Sequence, residues 1–147
     1  MTRRKGAKMT YKQKVEYLST YRFEVAKIES CVAEYNRWMT IGTKVNRAPS
    51  QDDSGGGQSD GTGKVERAAV EMARLASVIE SEMIQAMKNR DEIMRTIRTK
   101  SKNRRYALLL EMRYVDGKSI NKISRSLEKS YKHVIDLVNK AVNTLDI

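Results

Sequence analysis

The residues from Ser119 to Leu145 have the types and the spacing that a pair of short helices needs in order to read the edges of DNA bases. Ser119 and Ser130 each precede an apolar periodic segment, where a serine caps the start of a helix. The apolar faces would pack together, and the other side of the second helix would lie in a major groove. The apolar positions are Ile120, Ile123 and Leu127 in the first helix, and Val134, Leu137, Val138, Ala141 and Leu145 in the second.

The polar side of the second helix supplies the predicted DNA contacts. Base contacts come from the first turns of such a helix, while phosphates run along its flanks and past the preceding helix. The residues predicted to read bases are Tyr131, Lys132, His133 and Asp136. Those predicted to bind phosphates are Ser119, Lys122, Arg125, Lys129, Ser130 and Lys140.

This segment resembles the fourth region of bacterial sigma-70 factors, whose consensus runs roughly S-x-x-x-I-A-x-x-L-G-x-S-x-x-x-V, then A-x-x-x-L. Two positions depart from that consensus: Ser124 replaces the usual Ala, and Glu128 replaces the turn Gly. A side chain in a left-handed turn costs about 1 kcal/mol or more, so Glu128 predicts either that penalty or a turn of different geometry. The alternative interpretation is that two amphipathic helices simply complete a helical bundle. The matching residues are Ser119, Ile123, Leu127, Ser130, Val134, Ala141 and Leu145.

The charge of the chain indicates a polyanionic partner. Its 147 residues are 32% charged and carry a net charge of +11. Residues 1–14 hold six Lys/Arg and no acid, residues 15–94 hold ten against thirteen, and residues 95–147 hold thirteen against five. The C-terminal excess coincides with the predicted DNA-reading helices, so affinity for DNA should depend strongly on salt. The basic run at residues 3–5 is equally consistent with a phosphate-binding arm and with a solubilising tail.

Several other classes of protein are disfavoured by the composition. No run approaches the roughly 18 apolar residues of a membrane span, and the basic N-terminus lacks the apolar core of a signal peptide, so a cytoplasmic protein is expected.

Cys31 is the lone cysteine and is expected to be buried. With a single histidine a hundred residues away, it forms no zinc site. The segment at 55–64 lacks the required residues of a phosphate-binding loop, and no catalytic arrangement, metal or cofactor is predicted, so the chain should not be an enzyme.

Two long amphipathic helices are predicted before the DNA-reading segment. From about Tyr11 to Gly42, apolar residues follow a seven-residue repeat typical of a coiled-coil seam. A Gly/Ser-rich linker is predicted at 46–63, and a second helix from about Lys64 to Thr99. Together the helices should form an antiparallel hairpin, although a heptad seam does not reveal whether its partner lies in the same chain or in another. The seam of the first helix comprises Leu18, Tyr21, Val25, Ile28, Val32, Tyr35 and Met39, and the stripe of the second comprises Ala69, Met72, Ala76, Ile79, Met83, Ala86, Ile93 and Ile97.

The predicted fold class is therefore all-α, a long antiparallel helical hairpin followed by a helix-turn-helix like that of sigma-70 region four. Residues 100–106 are either a basic hinge or the start of the next helix, which runs through Leu110 to Val115 and ends at Asp116-Gly117. The predicted division is a basic N-terminal arm at 1–10, the hairpin at 11–99 and a DNA-binding module at 100–147.

Over nearly its whole length the chain resembles the small phage and prophage transcriptional regulators of the RinA/ArpU type. The likeness is carried by residues 17–38, 55–72, 108–119 and 130–134. It implies a phage-encoded activator of late genes that binds double-stranded DNA near a promoter in the cytoplasm of the bacterial host. The likeness to sigma region four further implies contact with host RNA polymerase, and the hairpin is expected to mediate that contact or self-association.

Two other functions fit the same residues. Small phage packaging subunits also join a helix-turn-helix to helical oligomerisation segments and recognise packaging sites on the genome. A helical adaptor whose basic C-terminus binds an acidic protein would need no DNA at all.

Overall fold

The chain is all-helical in its described parts. The computed structural model describes residues 7–46 and 61–147. Helix α1 spans Tyr11–Asn46 and helix α2 spans Gly61–Lys100. Helix α3 spans Arg104–Leu110 and continues as a π-helical segment over Glu111–Val115, and α4 and α5 span Ile120–Leu127 and Tyr131–Asn143. The all-α class and the two long helices are confirmed. Residues 1–6 of the predicted arm and 47–60 of the predicted linker lie outside the described residues.

The helices form two compact units. Unit 1 joins the chain up to Glu24 with Ala86–Ile147, and unit 2 is Val25–Gln85. The boundary predicted at residue 100 thus lies inside unit 1, which contains the first turns of α1 and the last turns of α2 together with α3, α4 and α5.

Within each unit, α1 and α2 pack antiparallel as a helical hairpin, as predicted. In unit 1, the Tyr17 and Thr96 hydroxyls lie 3.0 Å apart, and Asn89 Nδ2 donates to Glu24 Oε1 at 2.7 Å. In unit 2, Lys27 pairs with Glu82 at 3.9 Å. The increasing residue numbers on α1 meet decreasing numbers on α2, which defines the antiparallel sense.

The core of unit 1 packs the first turns of α1 and the last turns of α2 against the C-terminal helices. Leu18 of α1 and Ile93 and Ile97 of α2 are almost completely buried, and they pack in one cluster with residues of α3 and α5. A second cluster holds α4 and α5 on α3. The first cluster is completed by Leu110, Val115, Ala141, Val142 and Leu145, and the second consists of Leu109, Met112, Ile123, Val134, Leu137 and Val138.

The connection between α2 and α3 combines both sequence interpretations of 100–106. Residues 101–103 break the helix, and Asn103 then caps α3 by accepting a hydrogen bond from the Tyr106 amide at 2.9 Å. At the other end, Gly117 adopts a φ of 70°, so the predicted glycine stop is confirmed. A Cβ on Gly117 would lie 2.5 Å from the guanidinium of Arg22, so that side chain would have to move, and the positive φ by itself favours glycine.

We expect Leu18→Ala to lower the free energy of unfolding by about 2–5 kcal/mol, because it opens a cavity where α1 meets the other helices of unit 1. Phe23→Ala, also on α1 in unit 1 but 70% exposed, should change it by less than about 0.5 kcal/mol. Urea denaturation of both variants measures the difference. Equal stabilities would mean that α1 is not part of this core.

Candidate nucleic-acid interface

The two helices of the candidate interface begin at the predicted serine caps. Ser119 Oγ accepts from the Lys122 amide at 3.2 Å at the start of α4, and Ser130 Oγ accepts from the His133 amide at 3.1 Å at the start of α5. Both serines have extended backbone, as helix caps do. Each hydroxyl uses its oxygen for the cap, so its hydrogen stays free to donate to a ligand.

Glu128 sits in the left-handed region between the helices. Its φ and ψ are 54° and 41°, and it is the single non-glycine residue with positive φ in the described chain. The Glu128 amide bonds to the Arg125 carbonyl at 3.3 Å, and the Lys129 amide bonds to the Ser124 carbonyl at 3.1 Å. This pair of bonds is the Schellman motif that normally ends with glycine. The turn therefore keeps the left-handed geometry, and the Glu128 side chain lowers the stability of the folded protein by the cost predicted for that geometry.

Ser124 compensates for part of that penalty. Its Oγ donates to the carbonyl oxygen of Lys129, across the turn that Glu128 makes. An alanine in this position has no hydroxyl to make the bond. The two departures from the sigma-like pattern, at Ser124 and Glu128, therefore belong to one local structure.

The faces of α4 and α5 follow the sequence prediction. Ile123, Val134 and Ala141 have no exposed surface, and the remaining predicted apolar positions are buried or half-buried. The opposite side of α5 faces solvent. Its polar residues are therefore available to a partner without any rearrangement of the core.

All predicted contact residues lie at the surface of unit 1. The predicted base-reading side chains occupy the first two turns of α5, and each is exposed. The predicted phosphate-binding residues lie at the two caps, in the turn, on α4 and on the last turns of α5, and they are exposed too. The base-reading set is Tyr131, Lys132, His133 and Asp136, and the phosphate set is Ser119, Lys122, Arg125, Lys129, Ser130 and Lys140.

The start of α1 holds the end of α5, a contact that sequence reasoning missed. Lys14 is the one buried charged residue among the described residues, and its Nζ donates to the Asn143 carbonyl at 2.9 Å. This places a cation at the C-terminus of α5, where the helix dipole favours positive charge. Tyr11 Oη donates to Asn139 Oδ1 at 2.8 Å on the exposed side of the same helix. Residues this far apart in sequence show no shared periodicity, so no pattern in the chain could have paired them.

The segment before α1 extends this contact to the C-terminus of the chain. The Met9 amide donates to the Ile147 carbonyl at 3.0 Å, and Lys8 forms an ion pair with Asp146 at 3.2 Å. The exposed ion pair adds little stability. The backbone bond fixes the path of residues 8–10 along the last residues of the chain.

A groove of about 660 Å³ lies between α1 and α5. Tyr11 and Lys12 line one side and Tyr131 and Asn139 the other, with Tyr114 among the lining residues. Burial raises the pKa of the Tyr114 phenol, and nearby Tyr11 raises it further, against a smaller lowering by Arg113. The phenol therefore stays neutral across the physiological pH range.

The charge of the molecule is concentrated in unit 1. Its described residues include nineteen Lys/Arg and nine Asp/Glu, whereas those of unit 2 include six of each. The exposed side of α5 therefore belongs to a unit whose described residues carry a net charge of +10. No group of three or more His, Cys, Asp or Glu residues in the described ranges could hold a metal ion.

Comparison of the chain with protein-family models, with curated proteins and with solved structures gives no match in any of the three. None of the helices in residues 7–46 and 61–147 is long and apolar enough to cross a membrane.

Glu128→Gly should stabilise the protein by up to about 1 kcal/mol, because glycine removes the left-handed penalty while making the unfolded chain more flexible. Ser124→Ala should destabilise it by about 1 kcal/mol through loss of the hydrogen bond to Lys129. Ser126→Ala, on the exposed side of α4, is the control. Chemical denaturation gives all three values, and a destabilised Glu128→Gly variant would contradict the left-handed turn.

Lys14→Met should lower the free energy of unfolding by about 1–3 kcal/mol, because it removes a charged hydrogen bond at the end of α5. Lys12→Met, which removes an exposed charge two residues earlier, should have an effect below about 0.5 kcal/mol. Thermal and urea denaturation compare the two. A Lys14→Met variant as stable as the parent would show that the amine does not hold α5.

Proposed function

We propose that the protein is a sequence-specific double-stranded DNA-binding protein in which α4 and α5 act as a helix-turn-helix and α5 enters the major groove. The observation that carries the proposal is the exposed polar surface on the first two turns of α5, backed by a buried apolar face and preceded by a left-handed turn. A major groove about 12 Å wide accommodates one such helix.

The groups on α5 match the hydrogen-bonding edges of bases. Lys132 can donate to the guanine O6 and N7 acceptors, and Asp136 can accept from the cytosine N4 amino group. His133 and Asp136 lie three residues apart on the same side of the helix, so they would face neighbouring base pairs. Tyr131 adds a phenolic hydroxyl and an apolar ring at the start of the helix.

Phosphate binding surrounds this reading surface. The Ser119 and Ser130 hydroxyls sit at helix N-termini, where backbone amides and the helix dipole favour anions. Lys122 and Arg125 on α4 and Lys129 in the turn supply the positive charge. Unit 1, whose described residues carry a net charge of +10, would release counterions on binding DNA, and its affinity would fall steeply as salt rises.

The proposed biological role is transcriptional regulation by a phage-encoded protein. The resemblance of the chain to phage late-gene activators and to sigma region four supports this role, and it suggests binding near a promoter. Selection of binding sites from random duplex DNA tests the proposal directly. A conserved selected motif is the expected result, and recovery of unrelated sequences would overturn sequence-specific reading.

On the selected site, Lys132→Ala should lose about 1–3 kcal/mol of binding free energy and relax the preference at one base pair. Lys122→Ala, a matched lysine on α4, should weaken binding to all duplexes alike and lower the salt slope by about one. Fluorescence anisotropy on specific and random duplexes over a range of salt separates the two. Equal losses on both duplexes for Lys132→Ala would place the reading surface elsewhere.

A further inference from the structure

The hairpin of unit 2 has two faces of opposite chemistry. On one face the helices are joined by ion pairs, Lys27 with Glu82 at 3.9 Å and Arg74 with Glu34 at 3.8 Å. Val25 and Val32 precede Lys27 and Glu34 by two residues, a rotation of roughly 200° about the axis of α1. Val25 and Val32 therefore lie on the side of the hairpin away from the ion pairs, and the half-buried Ile28 and Tyr35 lie next to them, about 60° around the helix.

The same holds for α2. Met72 precedes Arg74 by two residues, and Met83 follows it by two and a half turns, so both lie on the side opposite the ion pair. Ten uncharged residues thus share one side of unit 2, which we name the seam face. They are Val25, Ile28, Val32, Tyr35 and Met39 of α1, and Ala69, Met72, Ala76, Ile79 and Met83 of α2.

The seam face is left open in a single chain. Among the described residues of unit 2, only Ala68 and Leu75 are buried. On the seam face, Val32 is 39% exposed, Met39 45% and Met83 49%. Two helices bury only the sides on which they touch, whereas a contiguous exposed apolar surface marks a site of protein association.

We propose that the seam face pairs with the same face of a second copy of the chain, making a four-helix bundle of two hairpins. The surface is self-complementary in size, because α1 contributes bulky residues such as Tyr35 and α2 contributes small ones such as Ala69 and Ala76. A two-fold axis that lays α1 of one copy over α2 of the other sets large residues against small ones.

The charge of unit 2 and the area of its seam face fit a weak association with a second copy of the chain. The described part of unit 2 holds six cations and six acids, so two copies do not repel one another there. The face runs over 15 residues of each helix, about 22 Å by about 20 Å, a footprint of roughly 440 Å². A corrugated surface buries more than its footprint, but the interface stays below the roughly 800 Å² per partner of a standard complex, in the size range of weak associations. A dimer of this size should dissociate on dilution.

Sedimentation of the full chain from about 1 to about 100 micromolar tests the proposal. The expected mass at the high end is twice the 16.8 kDa of one chain, falling towards one chain on dilution. Val32→Glu places a charge on the seam face and should sediment as a single chain throughout. Val70→Glu changes the same residue type at a 65% exposed position of α2 off the seam face, and it should keep the parent mass.

A parent protein of single-chain mass over the whole range would overturn the proposal, and the seam face would then belong to a different protein. An assembly larger than two chains would overturn it too, as would a dimer that tolerates Val32→Glu or is lost with Val70→Glu. If circular dichroism shows Val32→Glu to be unfolded, the melting temperature of the parent protein is the test. The melting temperature of a dimer rises with protein concentration, and a constant melting temperature would count against pairing.

Discussion

The burial of Leu18 among residues of α2, α3 and α5 is the contact on which the rest of unit 1 depends. It ties the first turns of α1 to the helix whose exposed side forms the candidate interface. Lys14 lies one turn earlier on α1 and bonds to the last carbonyl of α5. The orientation of α5 is therefore set from both sides, by α4 through the short turn and by α1 through the core.

The turn between α4 and α5 shows how a locally unfavourable residue is retained. Glu128 takes a conformation that costs a side chain about 1 kcal/mol or more. Both Schellman hydrogen bonds and the Ser124 hydroxyl close around it, so the geometry is stabilised by three bonds that span only six residues. A turn with these bonds holds two helices in one relative orientation, and a surface that reads DNA requires that rigidity.

The two units differ in the way their apolar residues are used. Unit 1 buries ten or more apolar side chains in two clusters made by five helical segments, and its described residues carry the excess of positive charge. Unit 2 has two helices, equal numbers of acids and bases among its described residues, and an apolar face that stays exposed in the single chain. The two proposals, binding of DNA and pairing with a second copy, therefore concern different parts of the chain.

Local physical chemistry in the sequence determined the helices, and it determined the caps and faces of α4 and α5. The stripe predicted for α2 was wrong by one residue in unit 2, where Ala68 and Leu75 are buried and Ala69 and Ala76 are exposed. Serine at 119 and 130, glycine at 117 and the apolar steps of α4 and α5 each act within a few residues, so their outcome could be predicted without the fold. The heptad seam of α1 was equally visible, but a repeat within one helix does not specify its partner. Only the tertiary structure decided that Leu18 is fully buried in unit 1 while Val32 stays partly open in unit 2. It alone brought Tyr11 and Lys14 to α5, because that contact joins residues almost the whole chain apart and depends on how the helices pack.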